Sequence, residues 1–521
     1  MKLVILHYHL RPGGIRRIIE LATPHLTNQN AAFKNVILAT GEDGDEKWKC
    51  AFEKQVAPTG VEFFLEPSFN YLSEQDATAP EVTRRIRAGL KKLFAASNEK
   101  NTIVWAHNLG IARNLILSRE LARQCESKNI RLVSHHHDLW FDNRWLRWPE
   151  MQKFGFRSLD SAARAIFPTT SNVRHFTINQ SDAARLQKHF GKRVGWLPNL
   201  SERTPPPTSE RSDEVHDWLQ QRVKDKDAPV WILPCRLLRR KNVAEALLLT
   251  HWLRPEAWLV TTGAASSSDE QNYFEKLATA AHHHHWRLRL GILAGNEARK
   301  PSVAELLAVS EAVMLTSIQE GFGLPYLEAA ASRRPLIARA IPNIAPDLEQ
   351  FGFKFPQCYK EIFVSPELFD WENEFERQTK LFGMWREQLP RVCRRLAGQP
   401  ILLESRRNSR PVPFSRLTLS AQIEVLSKSA RESWEKCAPL NLFLSEWKRR
   451  TAAGKLKITP WPRTADAWLS GPNYARRFHE LANVRVRSVP LARTAVAAQQ
   501  DFIRAKLEAE HLFPLLWSRE T

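Results

Sequence analysis

The sequence predicts an α/β chain: two parallel-sheet domains in series, followed by a mainly helical extension. Three observations lead there. Short apolar, β-rich runs alternate with longer stretches of helical spacing; the alternation starts afresh after a proline-rich segment; and 521 residues exceed what one ordinary core encloses.

The first domain is expected over residues 1–200. Lys2 to Tyr8 reads as a strand, Arg11-Pro12-Gly13-Gly14 as a turn, and Ile15, Ile18, Ile19, Ala22 and Leu26 as one face of a helix. Arg16 and Arg17 fall in that helix's first turn, where positive charge opposes the macrodipole unless an anion is near. Further strands are expected at Asn35–Ala39, Thr102–Ala106, Ile130–Ser134 and Ala165–Pro168. Ligands of such sheets sit at the carboxyl ends of the strands, and one of these ends carries His135-His136-His137-Asp138. Consecutive side chains cannot all face one way, so at most two of the histidines can share a metal, and no metal site is expected. Val82, Ile86, Leu90 and Phe94 form an apolar stripe on a basic helix, which suits a sheet-covering element and also a peripheral membrane contact.

Residues 201–215, with Pro205-Pro206-Pro207, read as the interdomain linker, and 216–400 as the second domain. Its first strand, at Val230–Leu233, leads into Arg236 and Lys241, two cations suited to a phosphate, with Arg239 and Arg240 expected to face solvent. Strands are also expected at Ala257–Thr262, Leu288–Leu293 and Ala312–Thr316. After the last comes Glu320-Gly321-Phe322-Gly323-Leu324-Pro325, a glycine loop running into a helix that Pro325 starts and that carries Glu328 on its first turn. Loop amides and a helix N-terminus attract phosphate, and carboxylates accept hydrogen bonds from hydroxyls. A ligand with both groups fits: a nucleotide sugar.

The two glutamates enclosing that glycine loop, with Arg236 and Lys241 ahead of them, resemble the signature of retaining glycosyltransferases of the GT-B fold, in particular glycosyltransferase family 4. The resemblance covers roughly the first three-quarters of the chain and implies two Rossmann-like domains facing across a cleft. It implies that Arg236 and Lys241 grip the donor diphosphate, helped by amides at Gly13, Gly14, Phe322, Gly323 and Leu324. Glu320 would hold donor-sugar hydroxyls, Glu328 the ribose, and His137 the sugar near the reacting carbon, with His135 or His136 as alternatives. Ser302–Leu307 resembles the helix beneath the base. The pattern weakens after Glu328, where Arg334 precedes Pro335 and Ile341-Pro342-Asn343-Ile344 stands in place of a glycine loop. Residues 401–521 match nothing in it and read as a helical extension containing Trp434, Trp447, Trp461 and Trp468.

The expected reaction is transfer of a sugar to a hydroxyl acceptor, acidic or lipid-linked acceptors included, with retention, no metal and no cofactor beyond the donor. Two rivals share the fold: a non-catalytic polyanion binder, and a nucleotide-sugar epimerase or hydrolase. Lysine and arginine outnumber acids 76 to 56, for a charge of +20 that attracts polyanions. The absence of helix-turn-helix, zinc-finger and RNA-recognition spacings argues against nucleic acid. Six scattered cysteines without a C-x-x-C pair, and an opening apolar run cut short by His7-Tyr8-His9, lead us to expect a cytoplasmic protein, at the inner face of the membrane if it acts on lipid.

Overall fold

In the computed structural model the described residues are 1–28, 33–98, 100–201, 203, 205–265, 268–295, 300–404, 410–486 and 491–517. They form two units, one of Met1–Glu202, Gln388–Arg395 and Thr464–Lys506, the other of Arg203–Glu387, Leu396–Arg463 and Leu507–Thr521.

The first unit holds a seven-stranded parallel sheet: β1 (Lys2–Leu6), β2 (Asn35–Thr40), β3 (Gly60–Leu65), β4 (Thr102–His107), β5 (Arg131–His136), β6 (Val173–Thr177) and β7 (Val194–Trp196), in the order 3-2-1-4-5-6-7. Apolar residues on both faces are the reason: β1 and β4 are buried nearly end to end, as strands covered by helices on each side must be. The expected strand at Ala165–Pro168 is instead the last turn and exit of helix Leu159–Ile166, whose apolar run is a helix face; the strand lies later, at β6. The edge strand β3 was not expected, because alternating exposure leaves it no continuous apolar run.

The second unit has six parallel strands: β8 (Val230–Leu233), β9 (Trp258–Thr261), β10 (Leu288–Arg289), β11 (Ala312–Leu315), β12 (Leu336–Arg339) and β13 (Gln357–Tyr359), in the order 10-9-8-11-12-13. In both sheets the order reverses once, beside β1 and β4 in the first and beside β8 and β11 in the second. Crossovers leave in opposite directions at such a point and open a crevice at the strands' carboxyl ends.

The stretch read as a linker already contains the start of helix Ser209–Val223, capped by Thr208. The tail read as a separate extension divides its helices between the units. In the first, helix Gly471–Ala482 packs on helix Gly14–Asn28, and a Cβ on Gly471 would lie 1.9 Å from the His25 ring, so only glycine admits this approach. Phe478 joins the core beside Trp105 (ring centroids 5.4 Å apart) and Phe176, and Trp468 lies 4.5 Å from Trp196. In the second, helices Leu419–Ser427, Ala430–Cys437 and Phe443–Ala452 surround helix Val243–Leu253. That enclosure explains a helix with no polar face, where Trp252 donates to Ser433 Oγ at 2.9 Å.

The apolar stripe of helix Ala79–Leu93 is buried, with Val82 and Ile86 at 0% exposure, so the side a lipid contact would use is already packed within the unit. Among the described residues no helix is long and apolar enough to cross a membrane.

Candidate functional site

At the switch point of the second sheet two loops meet. The loop after β8 turns through a short 3-10 segment, Arg239–Lys241, and enters helix Val243–Leu253 through Asn242, whose φ of 47° is left-handed. The loop after β11 is tied to it: Thr316 Oγ1 donates to the carbonyls of Lys241 and Asn242, both at 3.0 Å, and Ile318 N to that of Arg240 at 2.8 Å. Glu320 and Lys241, far apart in sequence, therefore share one place, and Lys241 Nζ donates to Glu320 Oε1.

Arg240 completes the group, and this corrects the expectation that it faces solvent. It donates to Glu320 Oε2 and to the Gln319 carbonyl, each at 2.8 Å. Arg239 is also engaged, with Glu270. Ser317 Oγ donates to Glu320 Oε1 at 2.7 Å. Burial pushes the Glu320 carboxyl up, but the Lys241 and Arg240 charges and the Lys241 and Ser317 hydrogen bonds outweigh it and hold it down at about 2. Glu320 is an anion at any working pH, an acceptor of hydrogen bonds and never a donor. Arg236, by contrast, is exposed, and among the described residues it has no hydrogen-bond or ion-pair partner.

The glycine loop runs into helix Leu324–Ala331. Gly323 is required there: its φ is +84°, and a Cβ would come 2.6 Å from Ile344 Cδ1. Pro325 is the second helical residue and Glu328 the fifth, so Glu328 stands on the second turn, half-buried, rather than on the first as expected. The amides of Phe322, Gly323 and Leu324 donate to no protein acceptor among the described residues. The segment Ile341–Ile344 braces this loop: Asn343 Nδ2 donates to the Glu320 carbonyl at 2.8 Å while Ile344 abuts Gly323. Behind it lies a buried pair that the sequence did not disclose, Arg339 with Glu245 at 2.5 and 2.6 Å, shared with Tyr359 and Asn242. Helix Val303–Val309, the expected base-side helix, starts with a capping box between Ser302 and Glu305.

In the first unit Gly13 and Gly14 open helix Gly14–Asn28, with open space around them: nothing lies within 4 Å of a Cβ on Gly14. Neither packing nor turn geometry demands glycine here. The expected need of Arg16 for a bound anion is removed, since Glu20 accepts from its Nε at 3.1 Å and Leu10 O from its Nη1 at 3.2 Å.

The three consecutive histidines alternate as a strand requires. His136 faces His175, 3.2 Å away, while His135 and His137 lie on the other side with His107 of β4, whose Nδ1 is 3.1 Å from His137 Nε2. One ring nitrogen from each of His107, His135 and His137 lies within 4.8 Å of the others, so two of the three consecutive histidines share the cluster, as the alternation allows, and the third member comes from β4. The lone pairs do not suit a metal. Trp105 Nε1, a donor only, donates to His135 Nδ1 at 3.2 Å, which puts the neutral ring's proton on Nε2, and His107 and His137 bond to each other. Burial, then neighbouring imidazoles, lowers His137 to about 3 and keeps the rings neutral. The chain has two D-x-D tripeptides, and three of their four carboxylates are engaged in the fold: Asp45 caps helix Glu46–Val56, Asp43 pairs with Lys49, and Asp225 accepts from Arg287 at 2.9 Å and Trp258 at 3.2 Å.

Residues 215–351 match the family of glycosyl transferases group 1, a segment confined to the second unit. The chain is 24% identical over 358 residues to mannosylglucosyl-3-phosphoglycerate synthase of Petrotoga mobilis, covering 66% of this chain and 65% of that one. It thus spans somewhat less than two thirds of that relative. Among solved structures it resembles the apo structure of OtsA (12% identity, TM-score 0.50, 93% of this chain and 100% of that one). A second likeness is to Anabaena HepE in complex with UDP and glucose (18%, TM-score 0.46, 67% and 82%). By sheet order and by the likeness to OtsA the chain has the GT-B fold, and its second unit carries the glycosyl transferases group 1 match.

Proposed function

We propose that the protein is a glycosyltransferase that moves a sugar from a nucleotide diphosphate sugar to a hydroxyl acceptor, with retention, in the manner of family 4. The observation that carries this reading is the joining, at the switch point of the second sheet, of the Lys241–Glu320–Arg240 group to a glycine loop whose three amides donate to no acceptor among the described residues, with Arg236 in the same loop after β8 and unpaired among those residues. The family match over this segment and the name of the Petrotoga relative support it.

In this reading Arg236 and the amides of Phe322, Gly323 and Leu324 hold the diphosphate, and Lys241 stabilises charge growing on the leaving oxygen. Such preorganised donors are worth roughly 3–4 kcal/mol each where water is excluded. Glu320, held ionised, accepts from sugar hydroxyls, and Glu328 accepts from the ribose. In the first unit His137 touches the sugar and the amides at Gly13 and Gly14 approach the donor, the open space around the glycines being the support for the latter. The cations do the electrostatic work that a metal does elsewhere, so turnover continues in chelator, and no further cofactor enters.

The test is thermal melting of the protein and of R236A with UDP, GDP, ADP and TDP. One nucleotide should raise the melting temperature of the wild type, by about 2.7 kcal/mol of stabilisation at a hundredfold excess over Kd, and lose most of that effect in R236A. No shift with any nucleotide at saturation would refute the donor site.

A further inference from the structure

The first sheet has its own switch point, and the residues after β1 and β4 carry groups that the donor reading leaves unused. After β1 come His7, Tyr8 and His9. After β4 comes a single 3-10 turn, Leu109–Ile111, bounded by Asn108 (φ 60°) and Ala112 (φ 61°). An alanine in the left-handed region is strained, and strain of this kind persists where the surroundings hold a side chain to a task. The side chain presented next is Arg113.

Arg113 lies over the Tyr71 ring, 4.8 Å from its centroid, and the Tyr71 hydroxyl meets His9 Nε2 at 2.9 Å. Arg147 reaches the same turn from helix Arg147–Lys153 and donates to the Ile111 carbonyl at 2.6 Å. Two guanidinium groups thus converge on one loop. Among the described residues neither makes an ion pair, Glu150 on the same helix included, because the other carboxylates nearby are taken: Glu42 and Glu74 by Arg11, Asp138 by Arg144. Arg113 Nε and His9 Nδ1 are buried without a partner. Burial, then the Arg113 and Arg144 charges, lowers the Arg147 guanidinium to about 9. Among the described residues no carboxylate contacts the group, and Glu150 acts on Arg147 only through its charge at longer range.

We propose that Arg113 and Arg147, with His9 and Tyr71, bind an oxyanion, the phosphate or carboxylate group of the acceptor. This rests on the proposed transferase reading, with the first unit as the acceptor side. Two forks around one loop suit a dianionic phosphate, whose oxygens can accept from both.

The test labels the full-length protein with phenylglyoxal in inorganic phosphate, in acetate, or in sodium chloride at equal ionic strength, with modified peptides quantified by mass spectrometry. Phosphate should slow modification of Arg113 and Arg147 several-fold over chloride, while the exposed Arg84 reacts equally in all three. Protection by phosphate alone identifies a phosphorylated acceptor; protection by acetate as well extends the site to carboxylates. Equal modification in the three solutions overturns the proposal. In melting experiments R113Q and R147Q should each weaken the response to inorganic phosphate roughly tenfold or more in apparent Kd. An unchanged response in both variants also overturns it. The wild-type labelling decides the matter if a variant does not fold. A nucleotide shift without arginine protection would refute this inference and leave glycosyl transfer standing, whereas arginine protection without any nucleotide shift would refute the transfer reading and the acceptor role with it, leaving an oxyanion site.

Discussion

Replacing Glu320 by glutamine tests the charge group at its centre. The side chains of Glu320 and Lys241 are each 9% exposed, so E320Q strands a buried ammonium. Breaking such a pair costs about 3–5 kcal/mol. Arg240, 31% exposed and still bonded to the Gln319 carbonyl, loses little, which places the expectation near the low end. Titration gives a second route. The carboxyl sits at about 2 in the fold against an ordinary 4.5, and about 1.4 kcal/mol per pH unit makes this a contribution on the order of 3 kcal/mol at neutral pH. The sign follows from the depressed value: the contribution is whole above the unfolded pKa near 4.5 and is lost as pH falls towards 2. It should be under half its size by about pH 3. Urea denaturation of wild type and E320Q at pH 7, 4 and 3 measures the difference. The reasoning is refuted if the variant is within about 0.5 kcal/mol of wild type at pH 7, or if the gap does not narrow with acid.

Three further outcomes are expected. G323A should lose about 1–3 kcal/mol through its left-handed backbone and the Ile344 contact, and I344V should recover part of that loss in a thermal melt. R339L leaves Glu245 buried and unpaired at 0% exposure, so denaturation should show a loss of about 3–5 kcal/mol, reduced when E245Q is added. The buried His137 must stay neutral in the fold at about 3 while its unfolded form charges near 6.5, so stability should fall as pH drops from 6.5 towards 3; H137Q should flatten the melting temperature between pH 7 and 5.

The sheets were legible where strands are buried on both faces, because β1, β4, β8 and β11 then read as unbroken apolar runs. Edge strand β3 was not, and the run at Ala165–Pro168 misled because apolar residues on a helix face and in a strand look alike over four positions. Glu320 and Lys241 could be named from loop chemistry. Arg240 could not: whether a basic residue in a run of three meets solvent or a carboxylate depends on a loop eighty positions away. The bracing by Asn343 and the Arg339–Glu245 pair are tertiary facts of the same kind. The histidines showed only their alternation in sequence, since His107 joins them through the pairing of β4 with β5. The tail was the least legible, as its apolar faces match surfaces that exist only once both sheets have formed.

That division of the tail bears on how the protein is made. The chain passes from one unit to the other at 202, 387, 395, 463 and 506, so neither unit is a continuous stretch that could mature on the ribosome while the rest is awaited. Trp105 is translated long before Phe478, the aromatic ring that covers it, and helix Val243–Leu253 must wait for its wrapping from residues 419–452. Until then both sheets present apolar faces to water or to a chaperone, and folding is governed by contacts of long sequence separation, the slow regime. A stop codon near residue 400 would therefore leave two unfinished cores in place of a shortened protein.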